Sequence, residues 1–294
     1  MKALTLLMIL VTVSPGKARS QTGDSINVVI SHIFFCVDSV TYQNLFNDDF
    51  IAKTFAYCTE SSSKTLTDSW TGKYLMGRRS YIEVFEVNDK KSQPELGDKP
   101  GDVAIVFRTA KPGEIQKIDA RVKADKRDTH LELMKYESEG KIIPFNYNLY
   151  LSNVSLQETF RPYVEEFTTD FLKLCDFSES EIKDGVTAEQ FGEKRRGKKY
   201  EKLFDNIEKI ELALTNEEFE YLAWSLKYFG FSQTGNRFAN DGLEIICSIQ
   251  QNRKYKLKAI HFTLLNTTED NKIEISKNLV LKTSGTTASF EFNY

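Results

Sequence analysis

The chain has 294 residues, 28% of them charged and 40% hydrophobic, which is the balance of a globular protein long enough to bury a sizeable core. A net charge of −3 and a pI near 5.8 give no global attraction for nucleic acid or an anionic membrane surface, so neither is expected as a partner. Four cysteines, Cys36, Cys58, Cys175 and Cys247, are too scattered for a disulfide framework and show no zinc spacing. They read as buried thiols, with one disulfide left open in an oxidising compartment.

The N-terminus reads as a cleavable export signal. Lys2 is a positive n-region, Ala3 to Val13 an apolar run, and Ser14-Pro15-Gly16 a helix breaker. Ala18 and Ser20 put small side chains at −3 and −1 of a cut before Gln21. The run is well short of the roughly twenty apolar residues a spanning helix needs. Residues 1–20 are therefore expected to direct export to a periplasmic or extracellular location, and no membrane span is expected after them.

Ile26 to Val37 is rich in β-branched and aromatic residues and reads as a strand ending at Asp38-Ser39, two good helix caps. Val40 to Phe55 has helical spacing with a break near Asn47-Asp48-Asp49. Tyr57 to Thr67 is a polar strand or loop. Lys73 to Met76 and Ser80 to Val87 make a hairpin around Gly77-Arg78-Arg79. After a polar linker at 89–100, Asp102 to Arg108 is a strand. Gly113 to Lys123 is a helix presenting Ile115, Ile118 and Val122, and strands follow at 131–136 and 142–151.

Residues 156–205 differ in texture, with an aromatic, acidic stretch expected to be partly helical and a basic run from Lys194 to Lys202 that reads as solvated. From 206 a strand, Ile207 to Leu214, leads through Thr215-Asn216-Glu217-Glu218 into a helix ending at Gly230. Strands are expected at 242–249, 255–265, 273–282 and 289–293.

The order strand, helix, several strands thus recurs, giving an α+β fold of repeated βαβββ-type units. The expected organisation is a signal at 1–20, paired units at 21–155, a helical and basic insert at 156–205, and a C-terminal unit with extra strands at 206–294. No unit covers its own sheet, so the units are expected to pack together into curled sheets.

The blocks SHIFFCVDSVTYQNLFNDDFIAKTFA and WTGKYLMGRRSYIEVFEV, then GDVAIVFRTAKPGEIQKI, FRPYVEEFTTDFLK and IEKIELALTNEEFEYLAWSLKYFGF, resemble a bacterial family of glyoxalase-like proteins of unknown function. The resemblance implies the vicinal-oxygen-chelate architecture, with a cleft between paired modules, but carries no reaction with it. In metal-dependent members of that superfamily a histidine on a module's first strand and a glutamate on its last hold a divalent ion. His32 and Glu83 match those positions. Imidazole plus carboxylate suits a divalent transition metal with open sites for substrate oxygens.

Alternation puts His32 on a face with Ile30 and Phe34, and Glu83 on a face with Tyr81 and Phe85. A carboxylate among aromatics needs a partner, for which His32, Arg78 and Arg79 are the candidates. Tyr81, Phe85, Arg79 and Glu166 are the remaining expected residues of a ligand cleft. Read on a helix, the neighbours Glu165 and Glu166 do not face each other and make no acid/base pair. The second unit offers few metal donors, while Glu211, Glu244, His261 and Glu291 of the third have no evident route to His32. No nucleophile elbow, Walker loop, dinucleotide fingerprint or HExxH occurs.

Three functions compete on this sequence. An exported small-molecule-binding protein is favoured over a metal-dependent lyase, isomerase or dioxygenase, because the second unit lacks ligands. A protein-interaction module is the third.

Overall fold

The computed structural model describes residues 26, 28–64, 69–87, 100–138, 140–152, 159–251 and 255–293. The expected signal at 1–20 and nearly all of the linker lie outside them.

The first unit runs β1 (Val28–Val37), α1 (Ser39–Asn44), a π-helical turn (Ile51–Phe55), β2 (Tyr57–Lys64), β3 (Ser69–Met76) and β4 (Tyr81–Glu86). Asp38 caps α1 by accepting the Thr41 N–H at 3.0 Å. Asp48 Oδ1 accepts from Phe50 N at 2.8 Å, which restarts the chain after the expected break.

The second unit is β5 (Val103–Thr109), α2 (Glu114–Ala124), β6 (Thr129–Ser138), β7 (Lys141–Leu151) and β8 (Phe160–Phe167). Its closing strand falls inside the segment expected to be a helical insert. The reason is a period of two. Phe160 and Val164 enter the core on the helix side, whereas Arg161, Tyr163 and Glu165 turn to the other face. Helices begin only afterwards, with α3 (Thr169–Leu174), α4 (Glu179–Asp184) and α5 (Ala188–Arg196) capped by Thr168, Ser178 and Thr187. The basic run starts in the last turn of α5, where cations complement the helix dipole.

These two units share one eight-stranded sheet in the order β2-β3-β4-β1-β5-β8-β7-β6. Within each unit the first and last strands pair in parallel, β1 with β4 and β5 with β8, and the units meet antiparallel at β1 and β5. Each unit is a copy of the other across that seam.

The third unit comprises β9 (Phe204–Leu214), α6 (Asn216–Tyr228), β10 (Ser232–Thr234), β11 (Arg237–Asn240), β12 (Leu243–Ile249), β13 (Leu257–Ser276) and β14 (Leu279–Phe292). It forms a six-stranded sheet, β10-β11-β12-β9-β13-β14, with β9 and β12 again parallel. The three strands expected at 255–265, 273–282 and 289–293 are one long hairpin. Register shifts between Thr263 and Thr268 and beyond carry its polar middle without ending either strand. Strands β10 and β11 are short and polar, so periodicity gave no sign of them.

One core joins the sheets. Phe55, Phe204, Phe262 and Phe290 cluster at ring separations of 4.8–6.1 Å. All four are fully buried, and burial of each such ring contributes about 1.5–3 kcal/mol. Phe229, following α6, packs on Phe107, and Tyr221 donates to Leu151 O at 2.9 Å. At the other end Arg78 and Arg79 donate backbone hydrogen bonds to Phe204 O and Asp205 O. All four cysteines are free. No helix among the described residues is long and apolar enough to cross a membrane.

Candidate functional site

The eight-stranded sheet has two unlike faces. One carries Ile33, Phe35, Ile82, Val84, Ile105 and Phe107 into the helix-covered core. The other holds a small apolar cluster of Phe34, Cys36, Phe85, Ala104 and Val106, beside which the ionisable groups gather. Phe85 lies so close over Gly72 that a Cβ there would meet its ring at 2.6 Å.

A β-bulge sets the geometry. The pairing of β1 with β5 shifts between Ile30 and His32, so Ser31 is the extra residue. Ile30 therefore belongs to the helix-side core, not to the face of His32 as strict alternation had it. The shift brings Ser31 and His32 to the same polar cluster.

Parallel pairing of β1 and β4 aligns His32 with Tyr81, Phe34 with Glu83 and Cys36 with Phe85. The His32 ring stacks on Tyr81 at 4.3 Å, and its Nε2 lies 4.0 Å from Glu83 Oε2. That gap is too long for a hydrogen bond, and a single oxygen between them would reach both. His32 Nδ1 is 3.1 Å from Ser31 Oγ, and that hydroxyl donates to Glu165 Oε1 at 2.6 Å. With its proton so committed, Ser31 Oγ accepts from Nδ1–H. The tautomer this defines leaves the Nε2 lone pair toward Glu83.

The second unit supplies Arg108 from β5 and Glu165 from β8, which are register partners. Glu165 Oε2 also receives Asn146 Nδ2 at 3.5 Å. Arg108 is 5% exposed as a residue, and its guanidinium carbon lies 5.1 Å from the Phe167 ring centre.

Burial reshapes the charges. Desolvation, then the Arg108 charge, pulls His32 down to about 3, so its imidazole is neutral. Desolvation, then repulsion from Glu165, pushes Glu83 up to about 8, so it holds a proton at neutral pH. Glu165 is also raised by burial, but Arg108 and the hydrogen bonds from Ser31 and Asn146 oppose the rise. Tyr81 and Tyr163 are raised well above the usual phenol range, first by burial and next by Glu83 and by Tyr150 respectively. Displaced titration of several groups on one sheet face is the signature of a functional site.

Two expected cleft residues lie elsewhere. Glu166 points to the helix side, where it accepts from Gly113 N at 2.7 Å, Ile115 N at 2.9 Å and Thr109 Oγ1 at 2.7 Å, capping α2. It was the neighbouring Glu165 that faced the site, and the strand period rather than a helical one decides which. Arg79 binds Asp205 Oδ2 at 2.6 Å and joins the two sheets. Burial alone would raise Asp205, but hydrogen bonds from Arg79 and Arg78 hold its carboxyl below the ordinary range. Arg108 and Glu165 are the residues sequence reasoning missed. DVAIVFR ends on an arginine in phase with Ala104 and Val106, which was the available signal.

His261 and Glu211 do not approach His32. They lie 3.0 Å apart on the six-stranded sheet, where His261, Lys272, Lys282 and Ser289 border a concavity of about 530 Å³.

Two βαβββ modules joined edge to edge in one sheet, with their first strands meeting at the seam and their last strands flanking them, make a glyoxalase-like α+β fold. The chain belongs to a family of unknown function, DUF5829, whose model matches residues 30–292. Among solved structures it is similar to the Mn(II)-bound glyoxalase from Novosphingobium aromaticivorans, at 9% identity and a TM-score of 0.44 over 89% of this chain and 80% of that one. It is also similar to the 2,3-dioxygenase LapB from Pseudomonas sp. KL28, at 12% identity and a TM-score of 0.44 over 90% and 92%. No curated protein matches the chain. The manganese and the dioxygenase reaction belong to those proteins.

The donor set here does not fit a metal centre. His32 and Glu83 are two donors, and no group of three His, Cys, Asp or Glu side chains among the described residues is placed to hold an ion. The third carboxylate, Glu165, is committed to Ser31 and Asn146, and the Arg108 cation stands beside it.

Proposed function

We propose that the protein is an exported small-molecule-binding protein whose ligand occupies the face of the eight-stranded sheet opposite the main core. One observation carries the reading: His32, Glu83, Arg108 and Glu165 converge from both modules on one buried face, with His32 and Glu83 uncharged at neutral pH. The main core does not require them, since Ile33, Ile82, Ile105 and Val164 of the same strands pack on the opposite face. Burying such groups is costly unless something offsets it, and ligand recognition is a function that would maintain them. Phe34, Phe85 and Val106 form a buried apolar cluster beside these polar groups.

A metal-dependent lyase, isomerase or dioxygenase calls for a third donor, and no group of three such side chains is placed to hold an ion among the described residues. A role in protein interaction has no comparable group of residues behind it.

The test is a fragment panel screened by saturation-transfer NMR against wild type and Val106→Phe, which fills the face beside His32. Binders lost in Val106→Phe support the proposal. A panel that binds both proteins equally, or neither, refutes it. Export is tested separately by N-terminal sequencing of the secreted protein, which is expected to begin at Gln21. An intact Met1 on the protein outside the cytoplasm would refute cleavage.

A further inference from the structure

Arg108 is a nearly buried cation on this face. The residue is 5% exposed, and its side chain makes no hydrogen bond or ion pair with the described residues. What it has is a ring contact with Phe167 and the field of Glu165. Glu165 is its register neighbour, but the two oxygens of that carboxylate are engaged by Ser31 and Asn146. Glu165 therefore offsets the charge of Arg108 without meeting its N–H groups. A nearly buried guanidinium whose N–H groups meet no protein acceptor is costly unless water or a ligand supplies one.

The shape of the unmet group defines what meets it. A planar guanidinium fork takes a carboxylate through two parallel hydrogen bonds, at shorter distances and greater strength than neutral pairs. The Arg108 guanidinium carbon lies 5.1 Å from the Phe167 ring centre. On the same face His32 Nε2 and Glu83 Oε2 lie 4.0 Å apart. Asn146 Oδ1 is buried and finds no donor among the described residues. The neighbouring wall is aromatic and aliphatic, with Phe34 and Phe85 edge to face at 5.7 Å.

Resting on the binding role proposed above, we propose that the ligand is a small carboxylic acid whose carboxylate is held by Arg108. Arg108 then determines specificity. It discriminates a carboxylate from its neutral analogue, because only the anion satisfies both the charge and the fork.

The experiment uses matched carboxylate and carboxamide pairs, graded in size from acetate and acetamide to naphthoate and naphthamide. Binding is followed by titration of backbone amide shifts in the full chain. Arg108→Met is compared with wild type. Because that change leaves Glu165 without a counter-charge, the double variant Arg108→Met/Glu165→Gln is measured beside it, and circular dichroism checks its folding. In wild type the carboxylate of a pair is expected to bind at least about ten-fold more tightly than its amide, the size of effect one charged, hydrogen-bonded contact gives. Both variants are expected to lose that preference while still binding the amides.

Equal binding of acid and amide to wild type overturns the inference and leaves the binding role standing. So does a carboxylate preference that survives in the folded double variant. If no compound of the series, and none of the wider fragment panel, perturbs β1, β4, β5 or β8, the binding role itself fails and this inference with it.

Discussion

Replacing Glu83 by glutamine tests the electrostatics of the site without ligand. The native carboxyl titrates at about 8, against an ordinary value near 4.5, because burial and then Glu165 disfavour its anion. The folded protein therefore holds a proton that the unfolded chain has released. For such a raised group the associated stability is complete below the unfolded value and is lost as pH rises through the folded one. His32 has the opposite sign. Its value falls from 6.5 to about 3, so its contribution is complete above 6.5 and is lost as pH drops toward 3. In wild type the two slopes oppose each other between about 4.5 and 6.5, and Glu83 prevails above that. Glu83→Gln removes only the falling slope, and His32 is common to both proteins. At about 1.4 kcal/mol per pH unit, wild type should lose about 3.5 kcal/mol relative to the variant between about pH 5 and pH 8. Urea unfolding at stepped pH measures this directly. A difference between the two proteins that stays constant across that range would refute the claim that Glu83 is buried and protonated.

Further outcomes follow from the same contacts. Glu166→Ala removes three hydrogen bonds at the start of α2 and should cost about 2–3 kcal/mol, while fragment binding on the opposite face is unchanged; loss of binding without loss of stability would return Glu166 to the cleft. Asp205→Asn breaks the link to Arg78 and Arg79, and with both arginines partly solvated it should cost about 1–3 kcal/mol in unfolding measurements and leave ligand binding intact. Manganese, iron(II), nickel or zinc added at stoichiometric levels should produce no thermal shift that depends on His32 and Glu83. A shift abolished by both His32→Ala and Glu83→Gln would show that the two donors are joined by others and reinstate a metal centre.

Much of the fold could be read from sequence because its units repeat strong signals. The apolar stripe of α2, the Thr215 and Glu218 capping box of α6 and the hairpin around Gly77 are local features, and local features are what periodicity reports. Strand β8 was obscured because FRPYVEEF mixes charge with aromatics. One face meets a polar cluster and the other meets both core and a helix end, so neither looks plainly buried. That single misreading moved the expected acidic residue from Glu165 to Glu166. The bulge at Ser31 is equally silent in sequence, since it arises from how β1 pairs with a distant strand. His32 and Glu83 were legible from the resemblance and from alternation along each strand. Arg108 was marked only by its phase with Ala104 and Val106, because Glu165 reaches it through the pairing of β5 with the distant β8, which no local pattern encodes.

The most direct measurement of the central claim is a map of amide shift changes produced by the tightest-binding fragment. The changes should concentrate on Ser31 to Cys36, Tyr81 to Phe85, Ala104 to Arg108 and Tyr163 to Glu165, and vanish in Val106→Phe. A map centred instead on His261, Lys272 and Lys282 of the six-stranded sheet would contradict the assignment of the site to the seam between the first two modules.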